Sequence, residues 1–121
     1  MPASSSPSVV RVPFSDPAGV DPEEALVASL ASCHMLFFLD FASRAGFAVA
    51  SYRDEAVGVM SRDERQREWM SLVTLRPVVQ CDGDKQPSPA ELKALHRNAH
   101  DHCYIANSFK GEVRVEAHPS P

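Results

Sequence analysis

Positive charge is in short supply in this chain of 121 residues, in which 12 lysines and arginines stand against 16 aspartates and glutamates. The formal net charge is −4 at pH 7 and the isoelectric point is near 5.7. Proteins that bind a phosphate backbone or an anionic bilayer need a basic surface. Three arginines that stand close together, at positions 62, 65 and 67, alternate with the acidic residues Asp63, Glu64 and Glu68. We therefore expect no nucleic-acid partner and no membrane partner.

Membrane-directing segments and a disulfide framework are also missing. The first ten residues do not combine positive charge with an apolar core, as a secretory signal peptide does. The longest apolar stretch, from Ala25 to Ala45, is interrupted by Ser29, Ser32, His34, Asp40, Ser43 and Arg44, so we do not expect it to span a bilayer. The chain has three cysteines, an odd and low number, and their spacing is not that of a disulfide-stabilised fold. We therefore expect the protein to be located in a reducing cytoplasm, where thiols stay free.

The length fits a single domain of residues 1–121, with a lead-in of strand and loop at residues 1–20 and a core at residues 21–117. Four prolines and a serine run make the lead-in mostly loop, with one candidate strand from Ser8 to Phe14. The core opens on Asp21-Pro22-Glu23-Glu24, which has the N-cap, the first-turn proline and the capping glutamate of a helix start. Gly46 suits the left-handed residue that ends a helix, so we predict a helix from Pro22 to Ala45.

This predicted helix is apolar on nearly every side in its second half. Between Cys33 and Ala42 its apolar residues are Met35, Leu36, Phe37, Phe38, Leu39 and Phe41. A helix without a polar face must be covered all round, and a domain of this size offers little beyond one sheet and one further helix. We therefore expect a second subunit to cover the remaining surface.

The rest of the core predicts three strands and one more helix. Tyr52 to Met60 and Trp69 to Val79 are β-rich and flank a charged connection, which indicates a hairpin, and residues 81–84 form a polar turn. Ser88-Pro89-Ala90-Glu91 starts a second helix that extends to about His102. A last strand, Glu112 to Ala117, alternates apolar and charged residues. This order of elements is typical of an α+β domain.

Two cysteines occupy core-facing helical positions in these predictions. Cys33 lies within the first helix beside polar Ser32 and His34, and Cys103 ends a histidine-rich turn of the second. Buried free cysteines are most often small apolar residues, so packing and thiol chemistry both stay open for this pair. We expect Cys81, in the polar turn, to be a bystander.

Two sequence blocks carry a family resemblance. The first is Asp21-Pro22-Glu23-Glu24-Ala25-Leu26 with Ala31-Ser32-Cys33, and the second is Ala99-His100-Asp101-His102-Cys103-Tyr104-Ile105-Ala106-Asn107-Ser108. They resemble the "N/D-P-E-x-L … A/S-C" and "A-H-x-x-C-x-x-S/A-N" blocks of the OsmC/Ohr family of osmotically inducible and organic hydroperoxide resistance proteins. The resemblance implies an OsmC-like fold: an antiparallel sheet, a long buried central helix and a second helix, in an intertwined homodimer with active sites at the subunit interface.

The resemblance also assigns roles to residues of a thiol peroxidase. Cys33 would be the peroxidatic cysteine, which forms a sulfenic acid with an organic hydroperoxide, and Cys103 the resolving cysteine, which converts it to a disulfide. Glu23 would pair with an arginine beside the reactive sulfur. The implied reductant is an external dithiol, of lipoyl type in the organic-hydroperoxide branch, and no bound cofactor or metal is implied. The apolar residues after Cys33 suit an alkyl substrate.

Helix geometry and the chain's start set two conditions on that assignment. Glu23 and Cys33 lie ten positions apart, about 15 Å along one helix, so Glu23 acts in the partner's site unless the helix breaks. Otherwise Glu23 is a first-turn carboxylate that complements the helix dipole. The family's activating arginine comes from an N-terminal strand pair, which we expect to be shortened here because the residues before Asp21 leave room for only one strand. We therefore expect weak activity unless another cation serves; the candidates are Arg11, Arg44, Arg53 and Arg97.

Two other functions stay open. One is a catalytically weak protein of the same fold that binds a small apolar ligand at the dimer interface. The other is a metal-binding protein, since His96 and His100 are one turn apart on a helix and Cys103 follows them.

Overall fold

The computed structural model describes residues 19–117 of the chain, and within them it confirms the α+β class. The element order is α1 (Pro22–Arg44), β1 (Ala48–Asp54), β2 (Val57–Arg62), β3 (Glu68–Leu75), β4 (Pro77–Asp82), α2 (Pro89–His102), α3 (Tyr104–Ser108) and β5 (Glu112–Val115). The candidate strand from Ser8 to Phe14 lies outside the described residues.

The long helix α1 begins and ends where the sequence predicts, within one residue. The side chain of Asp21 accepts a hydrogen bond from the backbone N–H of Glu24 at 2.8 Å, which satisfies one of the free donors of the first turn. At the other end Ala45 is the C-cap, and Gly46 follows with φ +87°, a left-handed conformation that favours glycine. Every fourth residue between Leu30 and Ala42 is buried, so one line of α1 faces the core.

The predicted hairpin is present, but each of its long strands is divided into two, which corrects the strands predicted from Tyr52 to Met60 and from Trp69 to Val79. β1 pairs with β4 and β2 pairs with β3, both antiparallel, in two separate sheets. A hydrogen bond between the two strands lies at the point of division. The Arg76 N–H donates to the Asp54 carboxylate at 2.7 Å, and Pro77 has no N–H to offer. The polar turn is also shorter than predicted, because Cys81 and Asp82 still belong to β4.

The sheet that contains β3 is mixed, which corrects the expectation of an antiparallel sheet. Its strand order is β2-β3-β5, and β5 runs parallel to β3 because α2 and α3 carry the chain back across the domain before β5 begins. The alternation predicted for β5 is confirmed, since Val113 and Val115 are half-buried while Glu112 and Arg114 are exposed.

The helix α1 contributes to both parts of the hydrophobic core. Its first half packs on the three-stranded sheet, in a cluster formed by Leu30, Met70, Val73 and Leu75. Its second half packs on α2 and β4, in a cluster formed by Phe38, Ala42, Phe47, Val79, Leu95 and Ala99. By length and hydropathy alone α1 would pass for a membrane-spanning helix, but in this fold it is the shared core element. One side stays open, where Leu36 is 62% exposed.

Candidate thiol site

The structure brings Cys33 and Cys103 together, although 70 positions separate them in the sequence. Cys33 lies in the middle of α1 and is half-buried; Cys103 joins α2 to α3 and is 1% exposed. Burial raises the pKa of the Cys103 thiol, and the neighbouring Cys33 thiol raises that pKa further. Both cysteines are free thiols, and they lie close enough across the α1–α2 interface for Cys33 to influence the pKa of Cys103.

The short helix α3, which the sequence analysis missed, orients the Cys103 sulfur. Cys103 ends α2 and also caps α3, where its sulfur accepts a hydrogen bond from the Ala106 N–H at 3.5 Å. This backbone donor lowers the thiol pKa and partly offsets the effect of burial. None of the usual N-cap residues (Ser, Thr, Asp, Asn or Gly) stands at this position, so the sequence carried no ordinary start signal for α3.

The surface next to the thiols is aromatic. Phe37, one turn after Cys33, meets the ring of Tyr104 edge-on, with ring centroids 5.2 Å apart and planes at 80°. Tyr104 itself is 73% exposed, and Leu36 beside Phe37 is exposed too. The thiol pair therefore lies near apolar surface that a second chain or an alkyl ligand can cover.

Glu23 is not brought to Cys33 within one chain. The helix α1 is unbroken between them, so the separation of about 15 Å along its axis stands. Glu23 is exposed and lines a groove of about 640 Å³ with Asp21, Glu24 and Asp54. Burial raises the pKa of the Asp54 carboxyl there, and a hydrogen bond with Asp21 raises the pKa of Glu24.

The described arginines that were candidates for activating Cys33 are engaged or placed elsewhere. Arg44 pairs with Asp40 at 3.0 Å, and Arg53 pairs with Glu55 at 2.5 Å, both on the surface. Arg97 lines a cavity that contains neither Cys33 nor Cys103. Arg11 lies outside the described residues.

A buried histidine pair beside the thiols is the part of the site that the sequence analysis missed. His34 Nε2 and His96 Nδ1 are 2.9 Å apart, and the two side chains are 0% and 4% exposed. Burial lowers the pKa of each imidazole to about 4, and for His34 the charges of His96 and His100 add to the effect. Both histidines occupy core-facing helical positions, but which residue each one meets depends on how α1 packs against α2, and periodicity does not give that.

That pairing bears on the metal-binding alternative. The Nδ1 atom of His96 is hydrogen-bonded to His34, which leaves only the Nε2 atom of this residue for a metal. Among residues 19–117 no three His, Cys, Asp or Glu side chains are arranged to hold a metal ion.

A larger cavity lies on the other side of α2, between that helix, β4 and β5. Its volume is about 960 Å³. Its walls are largely apolar, with a few polar groups, and among the lining residues are Val79, Leu92, Lys93, His96, His100 and Val115. Such a volume is typical of small-molecule sites.

A long helix that carries one thiol, packed against a second helix that ends in another, defines an α+β domain with an inter-helix dithiol. The OsmC-like protein family matches residues 15–118, and the chain belongs to this family. No curated protein matches the sequence.

Solved structures show the same fold. An OsmC-like protein of unknown function from Vibrio cholerae is 46% identical, with a TM-score of 0.92, over 96% of this chain and 75% of that one. An organic hydroperoxide resistance protein OsmC from Legionella pneumophila is 16% identical, with a TM-score of 0.71, over 98% and 79%. The organic hydroperoxide resistance protein OhrB of Bacillus subtilis is 20% identical, with a TM-score of 0.66, over 85% and 72%. The last two likenesses concern the fold alone.

Proposed function

We propose that this protein is a thiol-dependent peroxidase that reduces organic hydroperoxides to alcohols. The observation that carries the proposal is the proximity of the Cys33 and Cys103 thiols in a member of a family that includes hydroperoxide peroxidases. Contact between two thiols from separate helices is what a sulfenic acid needs in order to become a disulfide.

The exposure of the two sulfurs favours Cys33 as the first to react. Cys33 is half-buried and lies next to the exposed apolar surface, whereas Cys103 is 1% exposed. The Cys33 thiolate attacks the outer peroxide oxygen, the O–O bond breaks, and the alkoxide takes up a proton and leaves as the alcohol. The sulfur is oxidised to a sulfenic acid as the peroxide is reduced.

Cys103 completes the oxidative half of the cycle. Its sulfur attacks the sulfenic sulfur of Cys33, an S–S bond forms, and the hydroxyl leaves as water after taking up the thiol proton. An external dithiol, of lipoyl type, then exchanges with this disulfide; it is oxidised to its own disulfide while both cysteines return to thiols. The cycle needs no bound cofactor, and a reducing cytoplasm supplies its reductant.

Mass measurement tests the cycle directly. After one equivalent of cumene hydroperoxide, the wild-type chain should lose the mass of two hydrogens, with a disulfide that maps to Cys33 and Cys103. Cys103→Ser should instead hold a sulfenic acid that dimedone traps at Cys33, and Cys81→Ser serves as the matched control that behaves as wild type. Thiols that stay reduced at modest peroxide excess would contradict the proposal.

We expect a homodimer in which Glu23 of one chain serves Cys33 of the other, since the unbroken α1 keeps them about 15 Å apart within a chain. Mixing two inactive variants, Glu23→Gln and Cys33→Ser, tests this arrangement. Mixed dimers would contain one intact site, with Cys33 from the first chain and Glu23 from the second. Exchange of subunits should therefore restore about a quarter of the wild-type activity, because half of the dimers are mixed and one of their two sites is intact. No restored activity in verified mixed dimers would contradict the shared site.

The cavity between α2 and β5 favours a second candidate function, the binding of a small apolar ligand. Neither Cys33 nor Cys103 lines it. Under this function a fluorescent apolar probe such as N-phenyl-1-naphthylamine should bind Cys33→Ser as tightly as wild type, whereas Leu92→Trp, which narrows the cavity, should bind it weakly. Equal probe binding by Leu92→Trp would place the ligand elsewhere.

A further inference from the structure

Two neighbouring residues of α1 make separate contacts with α2 at the thiol site. Cys33 lies close to Cys103, and His34 forms its hydrogen bond with His96. His96 and Cys103 are seven positions apart, which is close to two helical turns, so both project from the same side of α2. The histidine hydrogen bond therefore fixes α1 against α2 close to the two thiols.

The histidine contact has little freedom to move. The His34 and His96 rings lie within 5° of a common plane, with centroids 5.2 Å apart, so they meet edge to edge and the hydrogen bond lies in both ring planes. Phe38 stacks on His96 at a centroid distance of 4.3 Å. The other nitrogen of each ring, His34 Nδ1 and His96 Nε2, is buried without a partner, so this bond is the one that each imidazole makes among the described residues, and rotation of either ring would break it.

A disulfide makes strict demands on the geometry of its two cysteines. The Cβ atoms must approach to about 4 Å and the torsion about the S–S bond must lie near 90°. Thiols that are held in place reach this geometry at a high effective concentration, whereas thiols on helices that can slide do not. Whatever fixes α1 against α2 next to the cysteines therefore influences the stability of the disulfide.

We propose that the buried His34–His96 hydrogen bond positions Cys33 against Cys103 and thereby sets how readily their disulfide forms, an inference that rests on the proposed function in taking these two thiols as the reactive pair. The two histidines are positioning residues, since neither contacts the peroxide in this scheme. Their own chemistry is limited to one N–H···N bond between neutral rings.

The test is the thiol–disulfide equilibrium of the full chain in dithiothreitol buffers of varied ratio, with Cys81→Ser as background to prevent exchange with the third thiol. The His34→Leu/His96→Leu variant removes both halves of the bond and leaves no orphaned partner. Its equilibrium constant for the Cys33–Cys103 disulfide should fall at least tenfold, which corresponds to a potential about 30 mV more oxidising. If this variant does not fold, His34→Met takes its place with the same expected change.

Two controls separate positioning from general stability. His34→Gln/His96→Asn places amide groups near the two bonded ring nitrogens, so it should keep the equilibrium constant within about threefold of the background protein. Phe47→Leu weakens the core away from the thiols, and it should lower the urea midpoint without moving the constant.

The outcomes for the inference and for the proposed function are distinct. The positioning role would be overturned if the equilibrium constant for the disulfide in His34→Leu/His96→Leu stayed within threefold of that in the Cys81→Ser background protein. It would also be overturned if the background protein formed no Cys33–Cys103 disulfide in the buffer. If the disulfide forms in the buffer and responds to the histidines but never forms with peroxide, the positioning role stands and the peroxidase function falls.

Discussion

Acid should destabilise this fold well above the range in which its carboxylates titrate, because the buried His34–His96 pair must stay neutral. The folded pKa of each imidazole is about 4, against 6.5 for a free histidine. The unfolded chain therefore binds more protons between these values, so stability is full above pH 6.5 and is lost as the pH falls towards 4.

The size of the effect follows from the same two values. One pKa unit corresponds to 1.36 kcal/mol, and lowering the pH from 7 to 5 costs about 2 kcal/mol for one such histidine and up to about 4 kcal/mol for both. Small domains have a free energy of unfolding of about 5–15 kcal/mol, so this loss is a large part of the total.

Urea unfolding at pH 7, 6 and 5 and at one protein concentration measures this loss, with the fluorescence of Trp69 on β3 as the signal. The wild-type free energy of unfolding should drop by about 2–4 kcal/mol between pH 7 and 5. His34→Leu/His96→Leu should lose far less over the same interval, because an apolar pair takes up no protons. An equal drop in both proteins would refute the assignment of acid sensitivity to this pair.

Three substitutions test other parts of the fold by urea unfolding at pH 7. Phe38→Ala should cost about 3–5 kcal/mol, since it removes a 1%-exposed core ring that stacks on His96; a cost below about 1 kcal/mol would contradict the packing. Gly46→Ala should cost about 1–2 kcal/mol, because φ is +87° there, and no cost would mean that the left-handed turn is absent. Ser88→Ala should cost about 1 kcal/mol, as it breaks the reciprocal capping with Glu91; an unchanged midpoint would show that the cap contributes nothing.

The features that the sequence predicted well are those that depend on neighbouring residues. The N-cap Asp21, the proline after it and Gly46 act within one helical turn, so the ends of α1 followed from local chemistry. Ser88 and Glu91 defined the start of α2 for the same reason. These signals need no knowledge of the rest of the chain.

The features that the sequence analysis missed depend on contacts between residues that are distant in the sequence. The bend that divides the hairpin rests on Asp54 accepting from Arg76, 22 positions away. The parallel pairing of β5 with β3 depends on the path of two helices, and the hydrogen bond between His34 and His96 spans 62 positions. Local patterns placed both histidines on helices but carried no information on which residue each would meet. The Cys33–Cys103 contact was implied by the family resemblance rather than by any local pattern.

The thiol site is complete in one respect and incomplete in another within residues 19–117. Both sulfurs come from one chain, and the backbone N–H of Ala106 supports Cys103. A reactive thiolate at Cys33 needs positive charge nearby, whereas the described candidates Arg44 and Arg53 are paired with carboxylates at the surface. The apolar surface around the exposed Leu36 also needs to be covered.

The association of two chains would cover this apolar surface and would also bring charged groups of a second chain to Cys33. We therefore expect that peroxidase turnover depends on assembly, while formation of the Cys33–Cys103 disulfide in a redox buffer does not.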